Sequence, residues 1–468
     1  MSNGAYGVHL QLREALENYI KSQYFGKSPV LLSATQDKLG KEGLLYQKPY
    51  VESSPAYKNI QSGIQKSNSL PDWMKTYFQL LSNAGLGVHP APFCHQISAL
   101  EAFYKGQDLF VATGTGSGKT ECFMWPLMAK LADEARNHSQ SWTMRGVRAV
   151  IMYPMNALVS DQISRLRRLI GDADHRFINV FRATCGQNSR RPQFGMYTGR
   201  TPYPGKEPKR DADQALASTY SLLLNSDNEE KRFVKKLIND GKIIAKENYT
   251  EFLEKLNNSC HIPDDEDAEL VTRFEMQKVC PDILITNYSM LEYMLLRPIE
   301  RKIWDDTIEW LNSNPRNKLL FIIDEAHMYR GSAGGEVALL IRRLFHRLGI
   351  DRNRVQFILT TASMPNKDDD DRNAVQEFAN ELSASDEPRL FCYLTGEIDP
   401  IQNTKEIDIP LSTFENLTPE AFEGDDRARL AAINLFFDSI DSSREPFDSP
   451  DKAYQWLYNA NLTIPNLR

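Results

Sequence analysis

Residues 112–120 read Ala-Thr-Gly-Thr-Gly-Ser-Gly-Lys-Thr and directly follow a short apolar run. Because glycine has no Cβ, such a loop can curl until its backbone N–H groups point at phosphate oxygens, and a following helix adds the positive end of its dipole. We expect the Lys119 ammonium to reach the β- and γ-phosphates and the Thr120 hydroxyl to ligate Mg²⁺. The spacing predicts a phosphate-binding loop with six nucleotide contacts: Thr115, Gly116, Ser117, Gly118, Lys119 and Thr120.

A second motif, Asp324-Glu325, ends the apolar run 319–323. A carboxylate at Asp324 suits a metal ion, and Glu325 is placed to orient and deprotonate an attacking water. Glycines can also form a merely flexible loop, and two acids can simply end a strand. An apolar run precedes each motif, so the pair favours binding and hydrolysis of a nucleoside triphosphate. The predicted catalytic residues are Lys119, Asp324 and Glu325, with Thr120 and Asp324 on the Mg²⁺ ion.

The composition is that of a soluble globular protein. The chain has 468 residues, enough for two to four domains, and is 41% hydrophobic and 25% charged. No apolar run is long enough to span a membrane, and the N-terminus has no signal-peptide pattern. The six cysteines form no C-x-x-C pair, which argues against a zinc site and favours reduced thiols in the cytoplasm. A net charge of −7 does not indicate nucleic-acid binding, although an acidic protein can still carry a local basic surface.

The elements that must position these motifs alternate in type. Apolar, β-branched segments are separated by helical patterns, which indicates a parallel sheet covered by helices on both faces. Ligands of such α/β sheets lie beyond the carboxyl ends of the strands, where both motifs fall. Strands are predicted at 109–112, 147–153, 282–286, 319–323 and 355–359, with helices at 119–137 and 160–170.

Three other regions differ from this alternation. Residues 1–75 are predicted to be a mostly helical N-terminal extension that ends in a strap rich in Pro, Ser, Tyr and Lys. Residues 201–275, approximately, form a predicted helical insertion, expected to be exposed, with a solvated acidic turn at 264–267. Residues 366–468 are a predicted C-terminal segment with one helix within 419–440.

Smaller motifs surround the two main ones in a fixed order. They are His95-Gln96, Tyr153-Pro154-Met155-Asn156-Ala157-Leu158, Tyr197-Thr198-Gly199-Arg200, Thr286-Asn287-Tyr288-Ser289-Met290-Leu291, Asp324-Glu325-Ala326-His327 and Thr361-Ala362-Ser363. In these motifs the chain resembles the superfamily 2 helicases of DEAH-box type, in their first RecA-like lobe, over residues 76–365. It is most similar to the Lhr/MrfA-type DNA helicases and to large helicases of bacterial antiphage defence systems. The resemblance implies a RecA-like P-loop fold, ATP and Mg²⁺ as cofactors, and nucleic acid as partner, with DNA favoured over RNA.

The resemblance also implies roles for further residues. Gln96 would read the adenine edge, His327 would lie beside the γ-phosphate, and Thr361 and Ser363 would couple hydrolysis to lobe movement. Each also has a structural explanation: a helix-surface glutamine, a core histidine and turn-forming hydroxyls. Six residues would grip the backbone of one nucleic-acid strand: Pro154, Asn156, Thr198, Gly199, Thr286 and Asn287.

Basic and aromatic neighbours of these motifs leave two interpretations open. Tyr329 either stacks on a base or packs inside the protein. Six arginines either extend an electrostatic track or form ordinary surface contacts, and for each single arginine the second explanation is favoured. They are Arg165, Arg167, Arg168, Arg190, Arg191 and Arg200.

Helicases of this type use two RecA-like lobes, and arginines of the second lobe raise the rate of hydrolysis by roughly 10³–10⁵. Neither a second strand–helix series nor a Q-x-x-G-R-x-x-R pattern follows Ser363. We therefore expect the second lobe to come from a longer chain or from another subunit. The leading hypothesis is an ATP-driven motor on DNA. The alternatives are a DNA-stimulated translocase subunit of a nuclease complex and a non-catalytic, ATP-gated scaffold.

Overall fold

The computed structural model divides the chain into two compact units, Tyr57–Ile398 and Met1–Ala56 with Asp399–Arg468. The predicted site residues Thr115 and Ser363 lie outside the described residues. The structure describes residues 5–25, 28, 30–31, 38–39, 41, 43–47, 57–114, 116–202, 210–221, 228–362, 369–397, 405–406, 426–438, 444–449, 452–453 and 462–463.

The larger unit is built on one eight-stranded sheet, in which every strand pair is parallel. The spatial order is β4-β3-β5-β2-β6-β7-β1-β8. The predicted α/β fold, a parallel sheet with helices on both faces, is therefore confirmed. The strands are β1 (Asp108–Ala112), β2 (Ala149–Tyr153), β3 (Phe194–Tyr197), β4 (Glu269–Leu270), β5 (Ile283–Asn287), β6 (Leu319–Ile323), β7 (Val355–Thr361) and β8 (Phe391–Thr395).

Both faces of the sheet are buried. Along β2, Ala149, Ile151 and Tyr153 belong to one apolar cluster, whereas Val150 and Met152 belong to a second one. Successive side chains of a strand point to opposite faces, so the two clusters are the two sides of the sheet. This explains why the strands read as continuous apolar runs and not as an alternation of apolar and polar residues.

Helices supply the covering layers. Helix α1 spans Ala5–Ile20 and, among the described residues, contributes none to either of these clusters. The first apolar cluster contains residues of α2 (Asp72–Asn83), α3 (Cys94–Tyr104), α4 (Glu121–Asn137), α5 (Ser139–Thr143), α6 (Asn156–Leu169) and α7 (Arg176–Cys185). Three helices follow in the predicted insertion: α8 (Arg210–Ser221), α9 (Asn228–Asn239) and α10 (Tyr249–Asn257). The second cluster contains residues of α11 (Arg273–Lys278), α12 (Tyr288–Leu296), α13 (Arg301–Ser313), α14 (Ser332–Leu348) and α15 (Asp369–Leu382).

The compact unit extends beyond the predicted limits 76–365 on both sides, from Tyr57 to Ile398. The sequence did not reveal β3, β4 or β8. Strand β4 has only two residues and lies inside the predicted insertion, and β8 is a partly exposed edge strand within the predicted C-terminal segment. Such short or edge strands carry too weak an apolar pattern to be recognised, and pairing with a neighbouring strand is what defines them.

The insertion is not simply an exposed appendage. Its helices share an apolar cluster that includes Ala217, Phe252 and Leu256. The acidic turn was predicted to be solvated, which is wrong for Asp267: this side chain is buried and accepts a hydrogen bond from Lys246 Nζ at 2.9 Å. A buried ammonium needs carboxylate partners, and this requirement draws part of the turn inwards.

The smaller unit contains α1, followed by the π-helical turn Lys21–Phe25. Its C-terminal part contains a helix at Asp426–Asp438, inside the predicted range, and two short parallel strands, Lys405–Glu406 and Leu462–Thr463. Within the described part of the chain, no helix combines the length and apolar content needed to cross a membrane.

Candidate nucleotide site and nucleic-acid track

The predicted phosphate loop joins β1 to α4 at the carboxyl edge of the sheet. Ser117 Oγ donates to the carbonyl oxygen of Gly114 at 2.7 Å, so the loop folds back on itself. Gly118 has φ of +71°, and a Cβ there would stand 2.1 Å from Nε2 of Gln96. The backbone conformation therefore favours glycine at position 118, and any larger residue would also displace the Gln96 amide.

Lys119 lies against the acidic motif. Its Nζ contacts Glu325 Oε1 at 2.9 Å, although β7 separates the strands that carry the two residues. Glu325 adopts a left-handed backbone with φ of +52°, which is uncommon for a residue with a side chain. Strained backbone of this kind concentrates at functional sites, and here it occurs at the predicted catalytic base.

Asp324 is buried at the end of β6. Its Oδ1 accepts hydrogen bonds from the Thr360 hydroxyl and from the backbone N–H of Glu325, the latter at 3.0 Å. Burial raises the pKa of Asp324 above its ordinary value, while the Thr360 hydroxyl and the Lys119 ammonium oppose that increase. Sequence reasoning missed Thr360, and only the pairing of β6 with β7 brings this residue beside Asp324.

The residues proposed to hold Mg²⁺ fit a hard cation. Thr120 and Asp324 offer hydroxyl and carboxylate oxygens, the donor type that Mg²⁺ prefers. Nearby, the buried Oε2 atom of Glu325 accepts no hydrogen bond within the described part of the chain. An oxygen of this kind can accept from a water molecule.

Gln96 is fastened to the protein at both ends of its amide. Its Oε1 accepts from the backbone N–H of Phe93 at 3.0 Å, at the start of α3, and its Nε2 donates to the Gly118 carbonyl at 3.1 Å. The preceding His95 is buried, and its Nε2 contacts the carbonyl oxygen of Ser117 at 2.8 Å. Burial lowers the pKa of His95. The predicted adenine contact of Gln96 stays a prediction, whereas support of the phosphate loop is visible.

Tyr57 is a second residue near the site that sequence reasoning missed. Its ring lies edge-on to His95 and to Phe93, and its hydroxyl would be 3.0 Å from a Cβ on Gly114. Backbone hydrogen bonds of the adjoining Lys58 fasten this strap to Cys94 and to Glu397. No local pattern could have placed Tyr57 beside a loop so distant in the sequence.

One predicted coupling residue, Thr361, meets His327 of the acidic motif. Nδ1 of His327 lies 3.0 Å from Oγ1 of Thr361 and 3.4 Å from Oε2 of Glu325. The acidic motif is thus connected to the end of β7, which carries the Thr361 motif.

The spatial order of the strands separates the two groups of predicted site residues. The phosphate loop and the motifs at Asp324 and Thr361 follow β1, β6 and β7, whereas the six predicted nucleic-acid residues lie at the carboxyl ends of β2, β3 and β5. Across the β2–β5 pair, Asn287 Nδ2 donates to Asn156 Oδ1 at 2.7 Å. Asn287 Oδ1 in turn caps α12 by accepting from Met290 N at 2.8 Å.

The structure does not favour every predicted track residue equally. Thr198 and Thr286 are buried, and the Thr286 hydroxyl donates to the carbonyl oxygen of Tyr197 at 2.8 Å. Since this contact turns the Thr286 hydroxyl into the protein, direct phosphate contact by that hydroxyl is not supported. Pro154 and Asn156 are half-buried and Gly199 is exposed, so these positions remain accessible.

Three of the six candidate arginines serve the fold, whereas Arg200 is exposed. Arg167 pairs with Glu269, Arg190 with Asp282, and Arg191 with Glu247. Tyr329 is buried, which favours the packing interpretation over base stacking. Two further candidates are engaged more loosely. Arg165 contacts Glu121 and Asp161, and Arg168 donates to the carbonyl oxygen of Ser164.

A sequence profile described as DEAD/DEAH box helicase matches residues 94–217 and 235–371, more than half of the chain. The chain belongs to the DEAD/DEAH box helicase family. Its matched residues include both the phosphate loop and the Asp324 motif. The helicase resemblance predicted from the order of the motifs is thereby confirmed.

Curated relatives are similar over different shares of their length. The chain is 40% identical over 491 aligned positions to Druantia protein DruE of Escherichia coli (strain UMEA 4076-1), which covers 98% of this chain and 26% of DruE. The chain thus spans about a quarter of that relative's length. It is 32% identical over 80 residues to the uncharacterized ATP-dependent helicase YprA of Bacillus subtilis (strain 168), covering 17% of this chain and 9% of YprA.

Among solved structures, a crystal structure of the DUF1998 helicase MrfA bound to DNA matches 93% of this chain and 49% of that chain, at 16% identity and a TM-score of 0.41. The yeast DEAD-box splicing factor Prp28 matches 87% of this chain and 72% of that chain, at 13% identity and a TM-score of 0.37.

Proposed function

We propose that this protein is an ATP-dependent helicase or translocase that moves along a single strand of DNA. The observation that carries the proposal is the contact of Lys119 with Glu325, beside the buried Asp324, in a chain that belongs to a helicase family. A phosphate-binding lysine and two acids at one sheet edge are the components of nucleotide hydrolysis. DNA is proposed as the track because the motifs at 153–158 and 286–291 resemble those of Lhr/MrfA-type DNA helicases.

The side chains suggest how hydrolysis is controlled. In the present geometry the Lys119 ammonium is paired with Glu325. A triphosphate that enters the loop competes for this ammonium, because its charge is higher than that of one carboxylate. Glu325 then loses its cation and can accept a proton from an attacking water. Thr120 and Asp324 would hold Mg²⁺, which when bound neutralises charge on the transferring phosphoryl group.

The nucleic-acid strand would cross the other half of the sheet edge. We propose that Pro154, Asn156 and Gly199 contact its phosphates through short side chains and backbone N–H groups, which do not read sequence, and that Asn287 positions Asn156. Hydrolysis would be communicated through the contact between His327 and Thr361. The resemblance to large helicases of antiphage systems makes defence against phage the process that we propose.

Two substitutions test the nucleotide chemistry in the full-length protein. We expect Lys119→Ala to abolish ATP binding, and Glu325→Gln to retain binding while slowing DNA-stimulated hydrolysis by roughly 10²–10⁴. Glu309→Gln, which removes an exposed carboxylate on α13, is the matched control and should change neither quantity. Binding is measured with a fluorescent ATP analogue, and turnover by phosphate release with single-stranded DNA, duplex DNA or RNA.

The outcomes separate the alternatives. Normal turnover by Glu325→Gln would make the assignment of the base wrong. Tight ATP binding with no turnover on any nucleic acid would favour an ATP-gated scaffold. Stimulation by RNA alone would overturn the choice of DNA.

A further inference from the structure

A groove of about 1080 Å³ lies between α14 and α15, within the larger unit and away from the phosphate loop. The loop 383–390, which follows α15, forms one end of the groove, and we call this feature the α14–α15 groove. Two large apolar side chains line it and face solvent: Leu339 is 63% exposed and Leu390 is 80% exposed. On the α14 side, the groove is lined by residues with small or no side chains, namely Ala338, Gly334 and Gly335.

The groove is held in shape by two side-chain amides. Gln376 donates to the carbonyl oxygen of Phe391 at 2.8 Å and accepts from its N–H at 2.9 Å. One helical turn later, Asn380 forms the same pair of bonds with the backbone of Arg389, at 2.9 and 2.7 Å. These bonds fix the loop against α15, so a ligand would meet a preformed surface at little cost in ordering.

The charges around the groove are mainly negative. Glu377, Glu381, Asp386 and Glu387 line it and are exposed. Of these, only Asp386 forms an ion pair in the part of the chain that the structure describes, with Arg342 at 3.2 Å. The other lining cation, Arg389, donates to the side chain of Asn353. Glu377, Glu381 and Glu387 therefore have no ion-pair partner among the described residues, and they lie beside the exposed apolar side chains of the groove.

We propose that the α14–α15 groove binds a basic, leucine-bearing helical segment of a partner protein. An amphipathic helix inserts apolar side chains spaced three or four residues apart into such a groove, and its lysines or arginines can reach carboxylates at the rim. Nucleic acid is disfavoured as the occupant because its phosphates would face like charge. This inference does not depend on ATP hydrolysis, and a binding assay can test it separately from the proposed helicase activity.

The groove lies next to elements that lead to the proposed nucleotide site. Helix α14, which forms one wall, begins at Ser332, shortly after His327 of the acidic motif, and the loop at the other side leads into β8, which pairs with β1. Since β1 leads into the phosphate loop, an occupant would contact elements attached to both sides of the nucleotide site.

The test uses the full-length protein and a fluorescent helical peptide with leucines on one face and lysines on the other, measured by anisotropy. We expect the peptide to bind wild type, and Glu377→Lys combined with Glu381→Lys to weaken binding by about tenfold or more, because like charges then face each other. The control combines Glu254→Lys with Glu309→Lys, which changes net charge equally at exposed positions outside the groove and should leave the affinity within about twofold. Leu339→Ala, a milder change, should also weaken binding.

The following results would overturn the proposal. One is equal affinity for the groove double variant and the control double variant, with both shown to be folded by urea denaturation. Another is equally tight binding of a peptide in which every lysine is replaced by glutamate. A third is self-association of the protein that the groove substitutions abolish, because the occupant would then be a second copy of this chain.

Discussion

At the residue scale, the two halves of the sheet edge differ in how their side chains are used. Near the phosphate loop, charged and polar groups of β1, β6 and β7 bind one another directly, as Lys119 does with Glu325. At the predicted track, both ends of the Asn287 amide form hydrogen bonds within the protein, one with Asn156 Oδ1 and one with Met290 N. We therefore propose that Asn287 acts mainly by positioning and that Asn156 offers its own amide N–H groups to a phosphate.

We predict that Asn287→Ala weakens DNA binding about tenfold, because Asn156 loses its support and α12 loses a cap with a stabilising effect of about 1 kcal/mol. ATP binding in the absence of DNA should be unchanged, since the substitution lies in the other half of the sheet edge. The matched control is Asn248→Ala, which removes the same kind of cap from α10, where Asn248 accepts from Glu251 N at 3.2 Å. The measurements are the DNA concentration for half-maximal ATPase activity and ATP affinity. An equal loss of DNA affinity in both variants would contradict a specific role for Asn287.

At the element scale, buried ion pairs fix the ends of strands opposite the nucleotide site. Asp282, directly before β5, is fully buried and accepts two hydrogen bonds from Arg190, at 2.7 and 2.6 Å, and one from Gln193 N at 2.9 Å. Burial alone would raise the pKa of Asp282, but the guanidinium groups of Arg190 and Arg148 hold it below its ordinary value. This carboxylate therefore joins β5, β2 and the segment before β3.

We predict that Asp282→Asn lowers the free energy of unfolding by about 3–5 kcal/mol at neutral pH, because the largely buried Arg190 guanidinium loses its counter-charge, whereas Arg148 keeps Glu134. Asp265→Asn, at an exposed ion pair with Arg145, should cost at most about 1 kcal/mol. Urea denaturation of the larger unit measures both variants. Equal effects of the two substitutions would contradict a structural role for the buried pair.

The difference in the free energy of unfolding between wild type and Asp282→Asn should depend on pH in a defined direction. The pKa of Asp282 is lower in the folded state than in the unfolded state, so its contribution to stability is present above the unfolded pKa of about 3.9 and is lost as the pH falls through the folded value. Wild type should therefore lose its advantage over Asp282→Asn only in strongly acidic solution. A difference that disappears between neutral pH and pH of about 5 would be inconsistent with this assignment.

At the scale of the whole molecule, the described sheet carries the predicted phosphate loop, the proposed metal ligand Asp324 and the proposed base Glu325, but the proposed mechanism also needs cations opposite the transferring phosphoryl group. We propose that a second RecA-like lobe, on the same polypeptide or on another subunit, supplies arginines there. The alignment with DruE covers 26% of that relative, so similar proteins have length beyond the part matched here.

We predict that the 468-residue polypeptide binds ATP weakly and hydrolyses it slowly, and that a protein with both lobes is faster by roughly 10³–10⁵ in the presence of DNA. Phosphate release by the two proteins at equal concentration, with and without single-stranded DNA, measures the difference. Glu325→Gln in the longer protein is the control for contaminating ATPases. Full DNA-stimulated turnover by the 468-residue polypeptide alone would contradict the need for a second lobe.

Local chemistry in the sequence was sufficient to predict the parallel α/β fold, the phosphate loop and the acidic motif. Glycine at Gly118, the ammonium of Lys119 and the acids after β6 are recognisable because each needs a particular residue type at a particular spacing, whatever surrounds it. Motif order then predicted the helicase family.

Only the tertiary structure decided which residues meet across long separations in the chain. Three examples depend on strand pairing and on packing between elements. Thr360 lies beside Asp324, and Tyr57 lies beside the phosphate loop. Gln376 and Asn380 bind the backbone of Phe391 and Arg389. The burial of Thr286 and the ion pairs of Arg167, Arg190 and Arg191 were likewise undetermined by the sequence. The physical reason is that residue type specifies what a side chain can bind, whereas the partner and the solvent exposure are set by the neighbours that the fold provides.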